Sequence, residues 1–268
     1  MADITSRQSD IIDLARTSGR VTVEDLARRF EVSAQTIRKD LNELCDRRLL
    51  TRVHGGAIIA SGVENLAYDA RRFVAAEEKK AIGRAAAELI PNNCSLFINI
   101  GTTTEEVAAA LSSHEELLVI TNNLNVAMQL YRHPRIDVVV AGGSVRGSDG
   151  AVVGSPAISI IRQFKVDHAV IGASAIDDEG ALLDFDFREV EVSQAIIENA
   201  RSVMLVADST KLRRSAPVRI AHIGQVNTFV TDCLTSARLR NICVSRGIRV
   251  VEAMPEAGVD RDLSEDDP

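Results

Sequence analysis

The stretch FEVSAQTIRKDLNEL, residues 30–44, divides into an apolar face and a polar one at helical spacing. Ile37, Leu41 and Leu44 fall at i, i+4 and i+7, which marks the side a fold must bury. At about 100° per residue, Gln35, Arg38, Lys39 and Asn42 point the other way, with Thr36 at the border. Ser33 precedes the run as its N-cap. Asp40 lies beside the buried seam, where a structural pairing with an Arg of the same unit is expected.

Two shorter helices are predicted upstream. The first covers about residues 6–17, with Ile11, Leu14 and Ala15 on one face and Ser18-Gly19 as its stop. The second lies in TVEDLARRF, residues 22–30, where Thr22 caps and Asp25 follows three residues on. Glu31-Val32 then makes a tight turn into the capped helix. Downstream, LLTRVHGGAII, residues 49–59, alternates around Gly55-Gly56 as a small hairpin does. Helix, turn, helix and hairpin together make a winged helix-turn-helix.

The outward face suits the major groove of DNA. Arg pairs with guanine O6/N7, Gln or Asn with adenine N6/N7, and Thr touches a thymine methyl. Ser33 and the first N–H groups of the helix can hold a phosphate. Arg52 and His54 on the hairpin are placed to grip the flanking backbone. On pattern alone, a solvated face in a protein-interaction module remains the alternative.

The chain has 268 residues, 46% hydrophobic and 26% charged, which suits about two globular domains. No apolar run approaches the roughly 18–20 residues of a membrane span, and no secretory signal opens the chain. A cytoplasmic protein with no membrane partner is expected. The formal charge is −7, but residues 1–60 hold ten Lys/Arg against nine Asp/Glu, while residues 252–268 hold one Arg against seven acids. Most of the acidity therefore sits in a C-terminal tail expected to be disordered, and local charge decides the partners. Cys45, Cys94, Cys233 and Cys243 form no C-x-x-C pair and have no His at ligand spacing, so free thiols and no metal or cofactor are expected.

Beyond residue 75, apolar runs alternate with helical patterns: SLFINI (95–100), LLVIT (117–121), IDVVVA (136–141), HAVIGA (168–173), VMLVAD (203–208), TFVTD (228–232) and IRVVEA (248–253). Such runs imply a largely parallel sheet covered on both faces, an α/β fold of Rossmann-like type. The expected organisation is a winged helix-turn-helix at 3–58, a linker at 59–74, a second domain at 75–252 and the acidic tail at 253–268.

In the second domain, FINIGTTTEEVA, residues 97–108, runs from a strand through Gly101, Thr102, Thr103 and Thr104 into a helix. Backbone N–H groups, hydroxyls and the helix dipole converge there, as a phosphate cradle requires. It is neither a Walker loop nor a dinucleotide fingerprint. TNN (121–123, with Thr121 and Asn122), AGG (141–143, with Gly142 and Gly143) and GAS (172–174) follow other strands, so their polar groups can share one crevice. Lys211 offers a cation for a phosphate, and Arg146, in a mobile or tightly turning glycine-rich loop, a second. Asp184, Asp186 or Glu189 can accept from sugar or polyol hydroxyls. Two other readings of this domain stay open: a phosphosugar isomerase with Glu189 or Asp186 as base, though no acid–base pair is evident from spacing, and a domain that only oligomerises.

Residues 21–58, with the S-x-x-T-I-R-x-D-L core at Ser33, Thr36, Ile37, Arg38, Asp40 and Leu41 followed by R-x-H-G-G-A, resemble the winged helix-turn-helix of the DeoR family of bacterial repressors. GTTTEEVA (101–108), TNNLNVA (121–127), DFDFREV (184–190) and AIIENARSVMLVADSTK (195–211) resemble that family's sensor domain, and the likeness runs from about residue 7 to 232. The resemblance implies a non-enzymatic repressor that binds double-stranded operator DNA as a dimer or tetramer. It also implies a sensor related to ribose-5-phosphate isomerase, released by a phosphorylated sugar or polyol, with glycerol 3-phosphate foremost. Asn99 stands where the family carries Asp, so no carboxylate role carries over to that position.

Overall fold

The computed structural model describes residues 4–18, 20–47, 49–53, 55–58 and 68–255. In the N-terminal unit, α1 (Ser6–Ser18), β1 (Arg20–Thr22), α2 (Val23–Arg29), α3 (Ala34–Asp46), β2 (Thr51–Val53) and β3 (Gly56–Ile58) follow in order. Local chemistry sets these boundaries. The Thr22 hydroxyl oxygen accepts from the Asp25 N–H at 3.1 Å and so starts α2. Ser33 does the same for α3, accepting from the Thr36 N–H at 3.1 Å. Between them Glu31, at φ 52°, turns the chain.

Ile11, Leu26, Ile37, Leu41 and Leu44 close the small core, as the periodicity requires. Asp40 is buried and receives the Arg7 Nε–H at 2.7 Å, so its expected partner comes from α1. The Gln8 side-chain amide adds donations to Asp40 at 3.3 Å and Glu43 at 2.7 Å, tying α1 to α3. The hairpin forms as expected, and β1 joins it in the order β1-β3-β2, a pairing the sequence reading did not include.

The segment read as a linker contains α4 (Tyr68–Phe73), and residues 59–67 lie outside the described residues. The second unit continues through α5 (Ala76–Ala87), β4 (Cys94–Ile98), α6 (Thr102–Ala110), β5 (Leu117–Thr121), α7 (Leu124–Leu130), β6 (Ile136–Val140), β7 (Ser144–Val145), β8 (Val152–Val153) and α8 (Ser155–Ile161). It is completed by β9 (Val166–Ile171), β10 (Ala175–Ile176), β11 (Ala181–Asp184), α9 (Phe187–Glu198), β12 (Ala200–Val206), β13 (Val218–His222), β14 (Thr228–Thr231), α10 (Ala237–Arg246) and β15 (Arg249–Glu252).

All seven apolar runs enter one sheet, ordered β15-β14-β12-β9-β4-β5-β6, and every pair is parallel. Successive residues of a strand feed opposite faces. Leu96 and Ile98 pack with Val119, Val170 and Val230 under α5 and α6. Phe97 packs with Ala169, Leu205 and Phe229 against α8, α9 and α10 on the other face. Burial on both faces explains why the inner strands β4, β5, β9, β12 and β14 carry long apolar runs, while the edge strands β6 and β15 are partly exposed. The close approach of α5 and α6 depends on Gly83, where a Cβ would stand 2.6 Å from the Glu106 carbonyl.

A second, antiparallel sheet, β10-β11-β13, was not anticipated. The glycine-rich stretch after β6 folds into the β7–β8 hairpin, a tight turn. The four cysteines are free. Among the described residues no helix is long and apolar enough to cross a membrane, and no group of three or more His, Cys, Asp or Glu is disposed to hold a metal ion. The acidic tail from residue 256 lies outside the described residues.

Candidate functional site

Two surfaces answer the sequence expectations. On α3, Gln35, Arg38, Lys39 and Asn42 are exposed and Thr36 is half-buried, while Ile37, Asp40, Leu41 and Leu44 are buried. Lys39 has only a solvated pairing with Glu43 at 4.0 Å, worth little in water. The Ser33 hydroxyl is occupied as a cap, meeting both the N–H and the hydroxyl of Thr36. Arg52 is exposed on β2. His54, the other wing residue named above, lies outside the described residues.

The second surface is a polar crevice. Because β4, β5, β6, β9 and β12 run parallel, the residues that follow them gather at one edge of the sheet. Gly101, at φ 141°, begins α6 with no side-chain cap, which leaves the first N–H groups of the helix without a side-chain acceptor. Thr102 and Thr103 are buried beside it. Thr104 turns inward, its hydroxyl donating to the carbonyls of Asn99 and Gly101, each at 2.7 Å. Asn99 itself is structural: its amide donates to the Ser193 hydroxyl at 2.7 Å and its oxygen accepts from the Ile100 N–H at 2.8 Å.

Thr121 braces the neighbouring strand end, donating to the Ile98 carbonyl at 2.7 Å and accepting from the Asn123 N–H at 3.0 Å. Asn122 donates to the Val152 carbonyl at 3.2 Å, but its amide oxygen is buried without a partner. A buried unpaired acceptor is costly, so it marks a place where a donor is wanted.

Carboxylates and amides line the rest. Glu105 Oε1 accepts from the Asn123 and Asn125 amides, both at 3.0 Å, and Oε2 accepts from the Tyr68 hydroxyl at 2.6 Å. Arg146, on the β7–β8 turn, clamps three acids: Asp149 through Nε at 2.8 Å and Nη2 at 2.6 Å, Asp186 through Nη1 at 3.0 Å, and Glu189 through Nη2 at 2.7 Å. Arg71 approaches Asp149 at 3.4 Å. Lys79 is buried and donates to the carbonyls of Arg71, at 2.9 Å, and Val74; its Nζ stands 3.6 Å from Asp208.

The electrostatics follow from burial. Lys211 is buried, which brings its pKa down to about 7; Asp208 opposes that, and Arg214, Lys79 and Arg71 add to it. Burial acts upward on Asp208, but Lys211, Lys79 and the hydrogen bonds from Thr210 together hold the carboxyl below its ordinary range. Burial and then Asp184 push Glu189 up, against the pull of Arg146. Asp186, bonded by Arg188 and near Arg146, falls to about 2. Such contrasts gather where a protein handles ligands. The Arg71 charge acts on both Lys211 and Glu189, disfavouring the ammonium of one and favouring the carboxylate of the other.

Side-chain contacts join Arg146, Asp186 and Glu189, while the Gly101–Thr104 loop, Thr121, Asn122 and Lys211 lie at or beyond the carboxyl ends of strands in the parallel sheet. Gly142 and Gly143 are exposed at the base of the hairpin, turned toward Ile160 and Val153. Neither Glu189 nor Asp186 is a free base, since Arg146 grips both and Arg188 also holds Asp186. Sequence reasoning missed Tyr68, Arg71, Lys79, Glu105, Asn125 and Asp149. Glu105 and Asn125 lie within stretches already singled out, whereas α4 gave no periodic signal. With cations and free N–H groups on one side and carboxylates and amides on the other, the crevice suits an anion that also carries hydroxyls.

Comparison with known proteins gives two family matches: a DeoR-like helix-turn-helix domain over residues 7–63 and a DeoR C-terminal sensor domain over residues 74–233. The glycerol-3-phosphate regulon repressor of Escherichia coli (strain K12) is 45% identical over 228 residues, covering 85% of this chain and 90% of its own. The HTH-type transcriptional repressor CsqR of the same strain is 39% identical over 251 residues, 94% and 96% of the two chains. Ribose 5-phosphate isomerase A from Neisseria gonorrhoeae overlaps 51% of this chain and 53% of its own at a TM-score of 0.38 and 16% identity, too low to carry weight.

Proposed function

This chain belongs to the DeoR family, and on that premise we propose that it is a DNA-binding transcriptional repressor of a glycerol-3-phosphate regulon, released from its operator by glycerol 3-phosphate. Operator DNA is the partner that the helix-turn-helix implies. The effector is the finer claim. One observation carries it: a crevice at the strand ends that combines an uncapped helix start, a buried lysine and an unpaired amide acceptor. The phosphate is assigned to the Gly101–Thr104 N–H groups and Lys211, and the polyol hydroxyls to Asn122 and the carboxylate side. The repressor names of the two relatives above support the same reading.

In this reading Gln35, Thr36, Arg38, Lys39 and Asn42 read base edges, and Ser33, Arg52 and His54 position the module on the backbone. Self-association places two such modules on half-sites about one helical turn, or a multiple, apart. The effector acts by favouring an arrangement that no longer matches that spacing. Calorimetry with glycerol 3-phosphate, paired with operator-binding titrations with and without it, tests the whole reading. Heat of binding together with weakened operator affinity is expected; operator affinity indifferent to glycerol 3-phosphate would remove the effector assignment.

A further inference from the structure

We propose that Tyr68 and Arg71 are effector-site residues, and that a bound phosphomonoester draws the Arg71 guanidinium away from Asp149, passing the occupancy of the crevice into α4. This rests on the reading that the crevice takes a phosphorylated polyol. Residues 64–73 lie between the helix-turn-helix and sensor matches. Helix α4 is the described element that precedes the sensor match, and toward the N-terminus it leads to the DNA-reading module.

The two residues stand three apart, on one face of the helix. Both meet the same wall. The Tyr68 hydroxyl donates to Glu105 at 2.6 Å and accepts from the Asn125 amide at 3.0 Å, and that amide also donates to the Asp149 carbonyl at 2.9 Å. Arg71 meets the Asp149 carboxylate, but only at 3.4 Å, and its Nε–H is buried with no acceptor. An idle buried donor beside a long ion pair is a guanidinium able to turn to a better anion.

Arg146 offers the contrast. Its contacts, all within 3.0 Å, engage three carboxylates, so a ligand would have to break several bonds to recruit it. Arg71 has one weak bond to give up. Its charge already bears on Lys211 and Glu189, so an anion beside Lys211 lies in its field. Lys79 holds the Arg71 carbonyl at 2.9 Å, which anchors the backbone of α4 to the same cluster. A ligand shifts an equilibrium only through contacts that differ between two states, and the exchange of Asp149 for phosphate supplies one.

The test uses the full chain, with sn-glycerol 3-phosphate as probe and inorganic phosphate as competitor. Two quantities are read: the effector Kd by calorimetry, and the ratio of operator Kd with and without saturating effector. Arg71→Gln is expected to raise the effector Kd about tenfold or more. Arg71→Lys, which keeps the charge but lacks the fork, is expected to show a loss of about threefold and decides the matter if the Gln variant does not fold. Tyr68→Phe is expected to shrink the ratio by about threefold or more, with effector still bound. Wild-type Kd in the Arg71 variants with a wild-type ratio in Tyr68→Phe would overturn the proposal while the effector reading stands. No heat from either phosphate in the unaltered protein would overturn the effector reading, and this inference with it.

Discussion

If the effector's phosphate sits at Lys211, binding must settle the protonation of that lysine. Its pKa of about 7 in the folded protein lies below the ordinary lysine value, so the unfolded chain carries the extra proton between the two. Stability from this group is therefore lowest below about pH 7 and recovers as pH rises toward the ordinary value near 10. A phosphate anion at Lys211 reverses the shift by favouring the ammonium. Binding of glycerol 3-phosphate at about pH 8 should then take up most of one proton, measured by calorimetry in buffers of different ionisation enthalpy. The uptake should vanish in Lys211→Met; equal uptake there would place the proton elsewhere. On α3, Arg38→Ala is expected to cost ~1–3 kcal/mol at the preferred operator and to relax sequence choice, as an anisotropy titration against variant operators would show. At this scale the sequence was informative where side chains follow a helical period. Ile37, Leu41 and Leu44 fixed which residues face out, and Asp40 found its arginine in Arg7. It was silent on Tyr68 and Arg71, because their partners Glu105, Asn125 and Asp149 come from distant segments and no local pattern encodes such meetings.

Elements show the same division. The parallel strands were legible because burial on both faces forces continuous apolar runs in the inner five, and the edge strands β6 and β15 keep an apolar run of the same length. Strands β10 and β11 are two and four residues long, and α4 is six, too short for any period to accumulate. The tight packing of α5 on α6 was not legible either, since an isolated glycine in a helical run reads only as a weak position. Gly83→Ala should push the methyl into the backbone of α6 near Glu106, at a cost of ~1–3 kcal/mol. A lowered urea midpoint with an unchanged slope is the expected result, and an unshifted midpoint would mean that α5 and α6 separate freely.

Across the whole molecule, the two functions have to share one free energy. If glycerol 3-phosphate weakens operator binding by some factor, operator DNA must weaken glycerol 3-phosphate binding by the same factor. Calorimetric titrations of the free protein and of its operator complex measure this directly; equal effector affinities in both would mean that the crevice and the DNA module do not communicate. The net charge of −7 gives no hint of a nucleic-acid partner, because the first sixty residues are nearly balanced and the acids concentrate at the far end. Helix α3 adds a longer-range consequence. The side chains that hold it in place (Ile37, Asp40, Leu41 and Leu44, tethered through Arg7 and Gln8) are separate from those turned outward. Gln35, Arg38 and Asn42 are exposed and stand apart from that scaffold, and Lys39 reaches it only through its 4.0 Å pairing with Glu43. If those outward side chains read the operator, such a helix can be rewritten for a new promoter letter by letter while the framework beneath it stays as it is.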